Sequence, residues 1–137
     1  MTARGKARKR ALDILFEADI KHVPAASVLD ARIAAGPGPV SDYTAELVRG
    51  VHTHQAEIDV LLAENSHDWT VDRMPVVDRN VLRIGAYELM WGAQVPDAVV
   101  ISEAVLLAGD LSTEASSGFV NGLLARIAEI KKDRHCR

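Results

Sequence analysis

Cysteine is almost missing from this sequence: of 137 residues only Cys136 carries a thiol, one position from the end. No disulfide framework can form within one chain, which favours a reducing compartment. Cys136 itself reads as a spare thiol in a frayed tail rather than a nucleophile. Aromatic residues are scarce too, at 4%, so the core must rest on Ala, Val, Leu and Ile. No apolar stretch approaches the ~20 residues that a membrane-spanning helix requires. A secretory signal is also excluded. After Arg10 the run ALDILFEADI carries Asp13, Glu17 and Asp19, where a signal needs an uninterrupted apolar region and where transit peptides avoid acids. These absences point to a cytoplasmic protein without a membrane anchor.

The usual marks of catalysis are absent as well. His22, His52, His54, His67 and His135 are scattered. His52 and His54 are two apart, so on a helix they point about 200° away from each other. No HExxH and no Cys–His spacing occurs, and no metal site is expected. The GPGP of residues 36–39 places prolines where a phosphate cradle needs free N–H groups. No GxSxG occurs, and the pairs of carboxylates read as solvated helix faces. The sequence therefore indicates no catalytic residue, no metal and no cofactor, and the protein is not expected to be an enzyme.

What is present is helical periodicity. Hydrophobic residues make up 48% of the chain, which argues against disorder. A chain of this length fits one domain, residues 1–137, able to bury roughly two thirds of its unfolded surface. Leu12, Leu15, Phe16, Asp19, Ile20 and Val23 recur at helical spacing, with Asp19 the one polar interruption, and predict a helix over about 4–22. Arg4 and Arg8 share one face of it, and Leu12 continues their line. Pro24 ends this helix and opens a second, to about 35. GPGP is a firm break. Ser41 or Asp42 caps a third helix to about 65, and WTVDRMP holds one short turn. A fourth, over about 76–92, is apolar around much of its circumference and reads as central and buried. A fifth runs from Pro96 to about Leu111. Ser112 to Gly118 reads as a polar connection, and FVNGLLARIAEIKK as the last helix. The only β-branched run, AVVI at 98–101, is overridden by the helical spacing through Val105 and Leu106. The fold class is all-α, six or seven helices that can divide into two packed sub-bundles.

Charge is unevenly distributed within a net charge of -3. Arg4, Lys6, Arg8, Lys9 and Arg10 put five cations and no acid among the first ten residues, and KKDRHCR closes the chain with four cations against one acid. The middle is correspondingly acidic. Basic arms on an acidic body are a common means of holding a polyanion at one edge. Asn121 and Gly122 are a second anomaly, because Asn-Gly ordinarily marks a turn, yet here it interrupts a strong helical pattern. Close helix packing at Gly122 would explain it, as would a helix end offered to a partner. Phe119, beside it, reads equally as core or as an exposed ring.

The stretches DRNVLRIGAYELMW and VPDAVVISEAVLLAGDLSTEASSGFVNGLLARI, with the basic start ARKRALDILFEAD, resemble the bacterial transcription antitermination factor family NusB. The likeness runs in order along nearly the whole chain. It implies an all-helical fold of about seven helices in two small bundles that share the long first helix, and a non-enzymatic, RNA-binding role. Family members pair with the ribosomal protein NusE, bind the boxA element of nascent rRNA transcripts and join the RNA polymerase antitermination complex. They promote read-through of terminators and rRNA maturation, and some are homodimers, a state this sequence leaves open. With so few aromatics in the chain, Phe119 is a candidate ring on which an unpaired base can stack, and position by position the resemblance assigns RNA contact to Arg4, Lys6, Arg8, Lys9 and Arg10. It assigns the partner surface to Phe16, Asp78 and Phe119. Where some members carry an acid before the Ser preceding FVNG, this chain has Ala115 beside Glu114, which puts that acid's contact in doubt. Two alternatives stand beside this reading. One is a helical protein–protein adaptor without RNA specificity. The other is an RNA-binding module related to the front domain of rRNA cytosine methyltransferases, disfavoured because no catalytic domain follows in this sequence.

Overall fold

The computed structural model describes residues 2–36, 40–67, 69–92 and 94–135. The readings made for Cys136 and for the prolines of GPGP lie outside them. Six α-helices carry the described chain: α1 (Ala3–Lys21), α2 (Ala25–Ala34), α3 (Asp42–Asn65), α4 (Val76–Met90), α5 (Asp97–Leu111) and α6 (Glu114–His135). A single 3₁₀ turn, Val71–Arg73, sits between α3 and α4. No strand occurs among the described residues.

Local chemistry sets most of these boundaries. Thr2 Oγ1 accepts from the Gly5 amide at 2.9 Å and so caps α1, while Ser41 Oγ accepts from the Thr44 amide at 3.2 Å and caps α3, each satisfying one of the orphan donors of a helix start. Pro24, Pro75 and Pro96 each stand at the N-cap, immediately before α2, α4 and α5. The last boundary differs from the sequence expectation. Ser112–Gly118 is not an irregular connection, because α6 already begins at Glu114. Thr113 and Ser116 cap it reciprocally: the Ser116 amide donates to Thr113 Oγ1 at 3.3 Å and the Thr113 amide to Ser116 Oγ at 3.4 Å. This is the reciprocal geometry of a capping box, with Ser in place of Glu.

Packing follows the apolar stripes. α1, α2 and α3 form one group and α4, α5 and α6 another, and α4 joins them by lying against both α1 and α3. The ten residues from Asn80 to Leu89 are all buried, so α4 is the central rod. The core is aliphatic: Ile14, Leu29, Leu47, Ile58, Leu62, Leu82, Leu89, Leu123, Leu124 and Ile127 are fully enclosed. Each such side chain contributes about 1.5–3 kcal/mol on burial. Gly85 lets α6 approach α4, since a Cβ there would lie 2.7 Å from Leu124 Cδ1. Gly122 shows no such approach. A Cβ on it would meet only an Arg126 guanidinium nitrogen, at 3.5 Å, so close packing does not explain the Asn-Gly step.

Asp19, the polar residue in the α1 stripe, has a structural purpose. Its Oδ2 accepts from Arg79 at 2.8 Å, Asn80 at 3.0 Å and Arg83 at 3.3 Å. Arg83 also forks onto Asp59 of α3 at 2.9 and 3.0 Å. Burial works to raise the Asp19 pKa, but the hydrogen bonds from Arg79 and Asn80 and the neighbouring guanidinium charges outweigh it and hold the carboxyl below its ordinary value.

Candidate nucleic-acid interface

The basic start is not a loose tail. Because the Thr2 cap opens α1 at Ala3, Arg4 through Arg10 occupy its first turns, and their side chains leave the rod in fixed directions. Lys6, Lys9 and Arg10 are exposed and, with Asp13, surround one open depression of about 450 Å³. Among the described residues no carboxylate forms an ion pair with any of these three cations. The cations also sit at the positive end of the helix dipole, and Lys6 and Arg10 are four residues apart on one face. Both features work against the helix. A phosphate strand laid here would relieve both.

Arg4 and Arg8 take another course. Arg4 is exposed, donates to Gln94 Oε1 at 3.3 Å and lies 5.3 Å from the centre of the Tyr43 ring. Arg8 is only 3% exposed. Its guanidinium forks onto Glu88, with Nε to Oε1 at 2.8 Å and Nη2 to Oε2 at 2.9 Å, and the Tyr43 hydroxyl donates to Oε2 at 2.6 Å. Burial alone would lower the Arg8 pKa, but Glu88 outweighs it and holds the guanidinium above its ordinary value. Burial, then Glu88, push the Tyr43 phenol upward. The expectation that Arg8 is a free phosphate ligand is therefore corrected: it is a buried strut between α1 and α4. Glu88 and Tyr43, which complete it, were not singled out in the sequence. Their partnership joins residues 80 and 35 positions from Arg8, which no local pattern announces.

Farther along α1, Phe16 (40% exposed) and Ile20 (54% exposed) are large apolar groups at the surface. With Asp13, Glu17, Lys21 and Arg32 they line a second depression, of about 400 Å³. Asp13 borders both depressions, so the outward face of α1 passes without a break from cationic to apolar. Glu17 closes the rim, accepting from Arg32 at 2.9 Å and Lys21 at 3.1 Å, and those hydrogen bonds lower its pKa.

Asp78 is fully buried and offers no surface to a partner, which corrects the expectation of a partner contact there. It stands in the first turn of α4, where a negative charge suits the helix dipole. Its Oδ2 accepts from Ser116 Oγ at 2.7 Å and ties α4 to the start of α6. Its Oδ1 has no partner among the described residues. Phe119 is half-buried and packs edge-on to Trp69, with ring centres 5.2 Å apart and planes at 76°. Trp69 is 42% exposed, and the sequence reading passed over it. Ala115 and Glu114 are both exposed at the start of α6.

The structure does not gather all the candidate residues at one point. α1 runs antiparallel to α4, as the Arg8–Glu88 and Asp19–Arg79 pairs show, and α6 runs parallel to it, as Asp78–Ser116 and Gly85–Leu124 show. The levels of Glu88 and Asp78 on α4 are about 15 Å apart at helical rise. The cationic turns and the Phe119–Trp69 pair thus lie towards opposite ends of α4.

The NusB family model matches residues 5–129. A transcription antitermination protein NusB from Nocardioides sp. is 58% identical over 131 residues, covering 96% of this chain and 97% of that protein. The NusB of Streptomyces coelicolor is 53% identical over 136 residues, covering 96% of each. Among solved structures, T. maritima NusB superposes with a TM-score of 0.83 at 32% identity, over 93% of this chain and 92% of that one. A chain from a crystal structure of the antitermination factors NusB and NusE in complex with dsRNA superposes with a TM-score of 0.80 at 25% identity, over 93% and 96%. With its helical order, its basic first helix and these matches along nearly its full length, the chain belongs to the NusB family.

Proposed function

We propose that this protein is a cytoplasmic transcription antitermination factor that binds boxA RNA of nascent rRNA transcripts together with ribosomal protein NusE. It thereby joins the RNA polymerase antitermination complex, promotes read-through and aids rRNA maturation. The observation that carries this reading is the exposed cation set Lys6, Lys9 and Arg10, held by a capped helix against its own dipole. A chain that breaks local rules of helix design without a structural gain does so for function. The fold acts as one domain and does no covalent chemistry. Its work is to position: Lys6, Lys9, Arg10 and Arg4 neutralise phosphates, and neutralised phosphates release counterions. Phosphate contacts read no sequence. Specificity needs rings on which unpaired bases stack, and Phe119 with Trp69 offers such a surface at the far end of the strand's path. The apolar stretch at Phe16 and Ile20, continuous with the cations through Asp13, suits a protein partner lying beside the RNA. Arg8 and Asp78 contribute by holding α1 and α6 onto α4.

The test is an anisotropy titration of labelled boxA RNA and a scrambled control, with and without NusE. Preference for boxA that strengthens with NusE, and is lost on combined Lys6→Ala, Lys9→Ala and Arg10→Ala substitution, is the expected result. Equal binding of both RNAs by the protein–NusE pair would leave a plain helical adaptor in its place.

A further inference from the structure

Resting on the RNA-binding reading, we propose that the cleft between α3 and the end of α4 is a pocket for one unstacked nucleobase carrying an exocyclic amino group. The cleft holds about 200 Å³ and is lined chiefly by Tyr43, Glu46, Tyr87, Glu88, Trp91 and Gln94. That is below the several hundred Å³ typical of sites for larger ligands, and suits one planar ring rather than a whole nucleotide.

Three of its walls are aromatic in a chain with only six Phe, Trp and Tyr residues. Trp91 is half-buried, and His54 backs it at 4.2 Å between ring centres with planes 14° apart. Tyr87 lies nearly parallel to Trp91, 6.3 Å away with planes 18° apart. Gly50 of α3 makes room for this arrangement: a Cβ there would run into the Tyr87 ring, so any side chain would displace the ring from where it stands. The rings are thus set before a ligand arrives, which reduces the ordering cost of stacking a base on them.

The polar groups of the cleft select which base. Glu88 is fully engaged by Arg8 and Tyr43. Glu46 is exposed, and its charge is felt at the Tyr87 phenol, whose pKa burial, Glu46 and Glu88 together raise. No hydrogen bond to the Glu46 carboxylate is made among the described residues. An ionised carboxylate only accepts. It therefore favours the amino-bearing edges of cytosine, adenine or guanine over uracil, which offers a carboxylate only its ring N3–H, flanked by two carbonyl acceptors that the negative charge repels. Arg4 supplies a cation at the cleft itself: it bonds Gln94 at the cleft's edge and rests over Tyr43. Two residues from Lys6, it leaves α1 on the other side of the rod, so a strand held by Lys6, Lys9 and Arg10 reaches the pocket by rounding the start of α1.

The experiment uses the full chain and labelled boxA RNA in which each nucleotide in turn is made abasic. On the unmodified protein one position costs tenfold or more in affinity, restored by C, A or G but not by U. Trp91→Ala flattens that position's cost and leaves the others unchanged. Trp91→Phe, which keeps a ring, preserves it. Glu46→Gln, exposed and harmless to folding, erases the discrimination against U. A profile unchanged by Trp91→Ala and Glu46→Gln, in protein that still binds the RNA and still responds to Lys9→Ala, overturns the pocket alone. If the unmodified protein binds no RNA with or without NusE, the RNA reading itself has failed and the pocket falls with it.

Discussion

Arg4 and Arg8 stand one turn apart on α1 and have opposite environments. Arg4 is exposed, whereas Arg8 is buried in a forked pair with Glu88. Removing one partner of such a pair leaves the other charge uncompensated, at a cost of about 3–5 kcal/mol. Arg8→Ala is therefore expected to lower the urea midpoint sharply, and any loss of RNA binding should track loss of fold. Lys9→Ala, at an exposed position, should change stability by no more than about 0.5 kcal/mol while weakening RNA binding. Equal stability of the two variants, measured by urea denaturation, would refute the assignment. The inward direction of Arg8 was legible in the sequence, since it sits four and seven residues before Leu12 and Leu15, on the stripe that becomes the core. What the spacing lacked was the partner. Glu88 is another polar residue on a helix whose apolar pattern already read as buried, and only the fold brings the two together.

At the level of helices, the boundaries were the most legible features, because caps and prolines act within a few residues. Even the one misjudged start, that of α6, had its signal: Thr113 and Ser116 carry the spacing of a reciprocal cap inside a stretch whose polarity resembled a loop. Glycines were less legible, because their role depends on what the neighbouring helix presents. Gly50 of α3 faces a rigid Tyr87 ring, and Gly122 of α6 faces only the end of the flexible Arg126. Replacing Gly122 with Ala should therefore recover the helix propensity that Gly forfeits, a gain of about 0.5–1 kcal/mol. Gly50→Ala gains the same propensity but overpacks against the ring, at about 1–3 kcal/mol. Opposite shifts of the thermal midpoint are the expected outcome; a loss of stability in both would mean that Gly122 is more closely packed than its surroundings show.

Across the whole molecule, charge is sorted into an interior knot and an exposed edge, and the two respond to different variables. The knot of Asp19, Asp59, Arg79 and Arg83 binds α1, α3 and α4. Asp19 titrates lower in the folded than in the unfolded chain, so its contribution is complete above its unfolded pKa, about 3.9, and vanishes as the pH falls through the folded value. Urea midpoints measured from pH 6 down to pH 3 should fall in that acid range, and Asp19→Asn should flatten the fall. The edge responds to salt instead. Single-stranded RNA gives a slope of about -0.7 in log affinity against log salt for each phosphate neutralised, so the four exposed cations Arg4, Lys6, Lys9 and Arg10 predict roughly -2.8. Counting Arg8 as a fifth contact would raise this to about -3.5, again at -0.7 each, so the slope itself separates a buried strut from a phosphate ligand. The acidic middle of the chain disfavours RNA on its surface. Removing Lys6, Lys9 and Arg10 together should leave the single Arg4 contact, a slope near -0.7, with the fold intact. A slope that stays steep in that triple variant would place the phosphate contacts elsewhere on the molecule and remove α1 from the interface.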